Sequence, residues 1–152
     1  MRARPIKTLV DTGALLSAAD RRDAAHDLAA SLVSRLRREA VIPSPVLVEA
    51  DHLIGSRLGS DVARRFLASV SAGVFEVAYL TPGLLRRAVE LNDRYADLDL
   101  GLVDTALMAI AERHELPILT FDFRDFRATE SAKGPWRLVI DEATYARYSA
   151  PA

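Results

Sequence analysis

Two hydrophobic periods alternate along the chain. Short β-favouring runs appear as "IKTLV" from Ile6, "VIPSP" from Val41, "VFEVAYL" from Val74, "PILTFD" from Pro117 and "WRLVI" from Trp136. Each is too short for a helix and is bounded by Pro, Gly, Thr or Asp, which is how strands and their turns are punctuated. Between them the period lengthens. From Asp23 to Ala40 the apolar residues Ala25, Leu28, Ala29, Leu32, Val33 and Leu36 recur at helical spacing. Pro45 sits well at a helix start, and Val46, Ala50, Leu53, Ile54 and Leu58 make one apolar face that runs to Gly59. Ser60 caps a further helix that ends near Gly73, "TPGLLRRAVELNDRYA" opens with a Thr-Pro start, and Val103, Ala106, Leu107, Ile110 and Ala111 mark another helical face. Strands separated by helices predict parallel pairing with helices on both faces, so the expected fold is a three-layer α/β sandwich around a mostly parallel sheet.

Length and composition narrow this picture. At 152 residues, half of them hydrophobic, residues 1–152 are expected to form one domain with a substantial core. The net charge of -1 excludes a protein that coats nucleic acid or membrane through a bulk basic field, so any nucleic-acid contact must be local. Lys occurs only at Lys7 and Lys133, and the other basic residues are Arg, a side chain suited to bidentate phosphate contacts. The absence of Cys removes disulfides, thiolate metal sites and cysteine nucleophiles. No apolar run approaches membrane-spanning length and "MRARPIKTLV" lacks the hydrophobic segment of a signal peptide. The expectation is a soluble cytoplasmic protein with no membrane partner.

The candidate chemistry lies in acids. "LVDTGALL" at Leu9 is echoed by "LVDTALMA" at Leu102, but Asp11 follows a strand while Asp104 lies in the first turn of a helix, so the echo is no duplication. In open α/β sheets ligands bind outside the carboxyl ends of strands, which singles out Asp11 and Asp122. Glu49, in the first turns of the helix after "VIPSP", and Asp104 could look toward the same crevice. Taken singly, each has a plainer role as a cap or as a charge complementing a helix N-terminus. Taken together, four convergent carboxylates without matching cations call for a hard divalent cation with oxygen ligands.

The chain resembles PIN-domain ribonucleases, most closely the VapC-type toxins of VapBC toxin-antitoxin pairs. The resemblance spans nearly the whole chain and rests on "LVDTGALL", "SPVLVEADHLIG", "DLGLVDTALMAIAERHELPIL" and "LTFDFRDF". It implies a PIN-like sandwich and Mg²⁺- or Mn²⁺-dependent hydrolysis of RNA phosphodiester bonds, with Asp11, Glu49, Asp104 and Asp122 as the catalytic and metal-binding acids. It further implies Thr12 and Thr120 as hydroxyls beside the pocket. Asp99 reads as a solvated cap before Leu100 or as a fifth acid at the pocket rim, and Arg124, close after Asp122, as a phosphate contact or as a charge that neutralises the acids when no substrate is present. Gly101 departs from the pattern, standing where many relatives carry a Ser or Thr helix cap. The segment between Gly55 and Gly73 matches little, which leaves substrate choice open. His52, one turn after Glu49, reads better as a surface residue, and His26 and His114 as structural ones. A toxin of this kind implies a prokaryotic cytoplasm, a homodimer, and a small antitoxin that wraps an apolar groove. The amphipathic segments Asp23 to Ala40 and Val46 to Leu58 could supply that groove.

Two other readings compete. "LVDTGA" also matches the aspartic-protease signature, but those enzymes need two carboxylates sharing a proton in an all-β scaffold, and this chain has long helical periods and no second Asp-Thr-Gly. Alternatively, the fold serves as a non-catalytic binding module with an idle acid pocket.

Overall fold

The structure is a computed structural model that describes residues 6–150. Its sheet is built on β1 (Thr8–Val10), with all three residues buried, and on β2 (Ala40–Pro43), with all four buried. Both faces of these strands are covered, which is why they read as unbroken apolar runs and not as alternating ones. β3 (Glu76–Ala78) and β4 (Ile118–Leu119) complete the order β3-β2-β1-β4, and every pairing is parallel. Leu9 lies opposite Val41 on one side and Ile118 on the other. The expected sandwich is therefore present.

Eight helices surround this sheet among the described residues: α1 (Thr12–Ala19), α2 (His26–Leu36), α3 (Ser44–Leu58), α4 (Ser60–Ser71), α5 (Pro82–Arg94), α6 (Gly101–His114), α7 (Phe123–Ala128) and α8 (Glu142–Ser149). α6 is buried at every position from Thr105 to Ala111 and packs against α5, α3 and β2. A helix buried on all sides belongs in the interior, so this stretch of α6 is a central rod, while its first turn, with Gly101 and Leu102 exposed, reaches the surface. Leu9, Ile42, Ile54, Leu91, Leu107 and Ile118 are fully buried members of the core that these elements share. No described helix is long and apolar enough to cross a membrane.

The structure corrects several boundaries. α2 begins at His26 and not at Asp23, because Asp20 and Asp23 accept the backbone N–H groups of Arg22 and Ala25 at 3.0 and 2.7 Å. Such local side-chain bonds give the backbone an alternative to the helix. The expected strand "WRLVI" reduces to a single parallel bridge between Leu138 and Ile118. Trp136 turns away to donate its indole N–H to the Thr129 hydroxyl at 2.9 Å and to pack edge-on against Phe126, which takes the start of that run out of the ladder. α7 and α8 lie where no helix was expected; both are short, and each starts at an aspartate cap, Asp122 and Asp141.

Gly101 has a backbone reason to be glycine. It opens α6 with φ at +80°, just after Asp99 at +53°, in the left-handed region that a Cβ disfavours. A Cβ built there would meet nothing within 4 Å, so the constraint is conformational and not steric crowding. Gly101→Ala should accordingly destabilise the fold by about 1–2 kcal/mol. Urea unfolding reads this directly, and an unchanged midpoint with an unchanged slope would contradict it.

Candidate active site

Parallel strands share one carboxyl-terminal edge, and the site grows from that edge. Asp11 follows β1 and caps α1: its Oδ1 accepts the Thr12 N–H at 2.8 Å. Its Oδ2 accepts the Thr120 hydroxyl at 2.8 Å, from the end of the neighbouring strand β4. The Thr120 oxygen then accepts the Asp122 N–H at 3.0 Å. One hydroxyl thus ties the first acid to the backbone of the fourth, across 109 residues of sequence. Glu49 comes from α3 and Asp104 from the first turn of α6. All four line one open cleft of about 440 Å³, together with Thr12, Leu53, Arg57 and Phe121.

The electrostatics follow from this crowding. Burial raises the Asp11 carboxyl above its ordinary value against the opposing pull of its Thr120 and Thr12 hydrogen bonds, with Asp122 and Glu49 adding repulsion. Asp104, half-buried and without a hydrogen-bonding cation, is pushed up to about 7, first by burial and then by the charges of Asp11, Asp122, Asp125 and Glu49. Asp125 was not anticipated. It sits in the first turn of α7, donates its backbone N–H to Asp122 Oδ1 at 3.4 Å, and is itself raised by burial and by Asp122. Carboxylate oxygens of Asp104, Asp122 and Asp125 all lie within 4.8 Å of one another.

This donor set fits a hard cation. It consists of carboxylate and hydroxyl oxygens with neither imidazole nor thiolate, the chemistry that Mg²⁺ and Mn²⁺ prefer. The Thr12 hydroxyl, on the cleft wall, is buried with no hydrogen-bond partner, so the site keeps a spare polar oxygen for a ligand or water.

The remaining expected residues fall elsewhere. Asp99 is exposed and ends the 3-10 turn Ala96–Leu98, away from the cleft wall. Arg124 is exposed on α7, where its charge acts on Asp125. The cation on the cleft wall is Arg57, which follows Glu49 and Leu53 at i, i+4 and i+8 on α3; that spacing was readable in the sequence. Asp125 was hidden because its helix was not anticipated. His52 and His114 are exposed, while the His26 Nδ1–H donates to the Ser17 carbonyl at 3.0 Å.

Comparison with known proteins bears on the family and the fold. The family model described as PIN domain matches residues 8–131. The chain belongs to the PIN domain family. Among PIN-domain relatives it is 28% identical over 127 residues to Ribonuclease VapC26 of Mycobacterium tuberculosis, covering 83% of this chain and 94% of that protein. The crystal structure of Mycobacterium tuberculosis VapC20, a sarcin-ricin loop cleaving toxin, superposes with a TM-score of 0.72 at 24% identity, over 80% of this chain and 93% of that one. VapBC2 from Rickettsia felis, solved bound to a DNA fragment from its promoter, gives 0.61 at 15% identity over 79% and 91%. At those identities the two structures establish the fold.

The raised Asp104 of this PIN domain carries a stability signature. Folded, Asp104 holds its proton up to about 7; its ordinary value is 3.8. Between those values the folded chain binds more protons than the unfolded one, so this contribution makes stability fall as pH rises through the window and leaves a constant penalty above it. Without metal, Asp104→Asn should therefore melt higher than the wild type at pH 8, by at least ~2–4 °C, the shift that about 1 kcal/mol makes in a domain of this size. The difference should close as pH falls toward 3.8. A variant that melts lower at pH 8 would make Asp104 a structural cap.

Proposed function

We propose that this chain, acting as one unit over residues 1–152, is a Mg²⁺- or Mn²⁺-dependent endoribonuclease and the toxin of a type II toxin-antitoxin pair. The observation that carries the reading is the oxygen-only cleft at the carboxyl ends of β1 and β4, in which Asp104 is raised to about 7 by burial and by other carboxylates. A cluster of like charges that destabilises the fold is expected at a site that binds something positive. The names of the relatives support the substrate class: one is a ribonuclease, and another is a sarcin-ricin loop cleaving toxin.

Asp11 and Asp104 are the first candidates to hold the ion, with Glu49, Asp122 and Asp125 completing the oxygen set from three further positions around the cleft. When bound, a divalent cation supplies Lewis-acid polarisation of the phosphodiester and a nucleophilic water at neutral pH. The work of the chain is to fix the geometry for that chemistry. Thr120 holds Asp11 in one orientation through its hydroxyl and steadies the Asp122 backbone through its oxygen. The Thr12 hydroxyl is free to orient a water or a phosphate oxygen. Arg57 supplies positive charge to a phosphate entering a cleft that would otherwise repel it.

The toxin role adds a small antitoxin and a second copy of the chain as partners. The complexes among the structural neighbours support the first. Exposed apolar side chains at Val48, Tyr79, Leu85 and Val89 offer surface for either.

The purified chain should cut single-stranded or loop RNA in Mg²⁺ or Mn²⁺ and stop in excess chelator. Asp11→Asn or Asp104→Asn should lower the rate at least ~100-fold, about 2.7 kcal/mol of barrier, with helix content by circular dichroism unchanged. Full activity in chelator would sink the metal mechanism. A folded protein that cleaves no RNA in either metal would favour the idle binding module.

A further inference from the structure

Next to the acid cleft is a second and larger cavity of about 820 Å³ with the opposite character. It lies between the turn joining α1 to α2 and the junction of α3 with α4. Arg21, Arg22, His26, Arg57 and Arg65 line it, with Asp20 as the one acid. Arg57 lines both this cavity and the acid cleft, so the two hollows adjoin at its side chain.

Among the described residues the four arginines have no side-chain partner. Arg64, Arg87 and Arg127 all form ion pairs, but none of Arg21, Arg22, Arg57 and Arg65 does among the described residues. Asp20, the acid on the cavity wall, accepts the backbone N–H of Arg22 at 3.0 Å. Its Oδ1 is thereby engaged by the turn and by no guanidinium. Grouping unpaired cations is unfavourable unless an anion arrives to offset it. The His26 ring is fixed at the cavity wall by its bond to the Ser17 carbonyl.

We infer that this cavity binds the phosphodiester backbone of the RNA strand flanking the bond to be cut, an inference that rests on the ribonuclease reading above. Guanidinium groups match phosphate oxygens in a bidentate fork, and the volume accommodates a nucleotide-sized ligand. A strand whose scissile phosphate enters a carboxylate cleft meets repulsion there, and adjoining cations hold its neighbouring phosphates while the cleft is engaged. Adjacency to the cleft at Arg57 favours the substrate strand over an acidic peptide, because a strand with one phosphate in the cleft must carry its neighbouring phosphates past this wall, whereas a peptide has no group that the cleft would engage. The near-neutral net charge of -1 conceals this segregation of acids and arginines into adjoining hollows.

The test measures RNA binding and cleavage separately. In the Asp104→Asn background, a labelled randomised single-stranded RNA of about 12 nucleotides is titrated in Mg²⁺ at several salt concentrations. Arg22→Gln with Arg65→Gln should weaken binding at least ~10-fold and reduce the salt slope by roughly 0.7 for each phosphate that is no longer neutralised. Arg22→Lys with Arg65→Lys should recover part of both. If the substitution on α4 shifts the thermal midpoint, Arg21→Gln with Arg22→Gln on the exposed turn serves the same purpose. Wild-type-like affinity and slope in these variants, with wild-type RNA cleavage intact, would overturn the inference and leave the ribonuclease reading standing. Loss of binding to a polyglutamate peptide with RNA affinity unchanged would overturn it too, assigning the cavity to an acidic protein. Failure of the wild type to cleave RNA in Mn²⁺ would remove the ribonuclease reading and this inference with it.

Discussion

Asp11 is buried at the carboxyl end of the central strand, where a carboxylate is costly unless its oxygens are engaged. It has two fixed donors, the Thr12 N–H and the Thr120 hydroxyl, and both are set by the sheet. The first exists because β1 runs straight into α1, and the second because β4 pairs in parallel alongside β1. The pairing of β1 with β4 therefore decides more than the core. It brings Thr120 beside Asp11, and Thr120 in turn steadies Asp122, whose side chain starts α7 and sets Asp125 beside Asp104 and Asp122. Moving β4 by one residue would turn Thr120 to the opposite face and leave Asp11 short of a partner.

The fold opposes the natural repulsion of these acids with rigidity. α6 is buried from Thr105 to Ala111, which anchors the helix whose first turn sets Asp104 among the charges of Asp11 and Asp122, and its carboxyl retains a proton to about 7. The core thus bears a local strain whose relief by a cation is the chemistry proposed for the site. The arginine-lined cavity follows the same logic with the sign reversed: its turn engages Asp20 and Asp23 in backbone bonds, and among the described residues no acid pairs with the guanidinium groups of Arg21 and Arg22.

Much of this was legible in the sequence where one residue type has one physical role. Acids directly after apolar runs marked strand ends, and helical spacing placed Glu49 and Asp104, so Asp11, Glu49, Asp104 and Asp122 could be grouped from the sequence alone; the cleft holds all four. What escaped depended on short elements with weak periodicity. α7 has only six residues, too few to show a face, and Asp125 was hidden with it. α8 gives the same difficulty, and its Tyr145 ring packs on Phe121 and Phe123, a long-range contact that local patterning does not encode. "WRLVI" failed for the opposite reason: its strand propensity was real, and the bond from Trp136 to Thr129 overrode it. The Gly101 departure looked like a missing cap and is instead a left-handed backbone position.

The central claim is that a cation replaces a proton on the crowded carboxylates. Isothermal titration of Mn²⁺ into the wild-type chain, repeated in buffers of different ionisation enthalpy, counts the protons released on binding. Close to one proton should be released per ion at about pH 6, below the Asp104 value of about 7, and a count near zero is expected at about pH 8.5, where that proton is already gone. Binding with no proton release at the lower pH, or no binding at either, would contradict it.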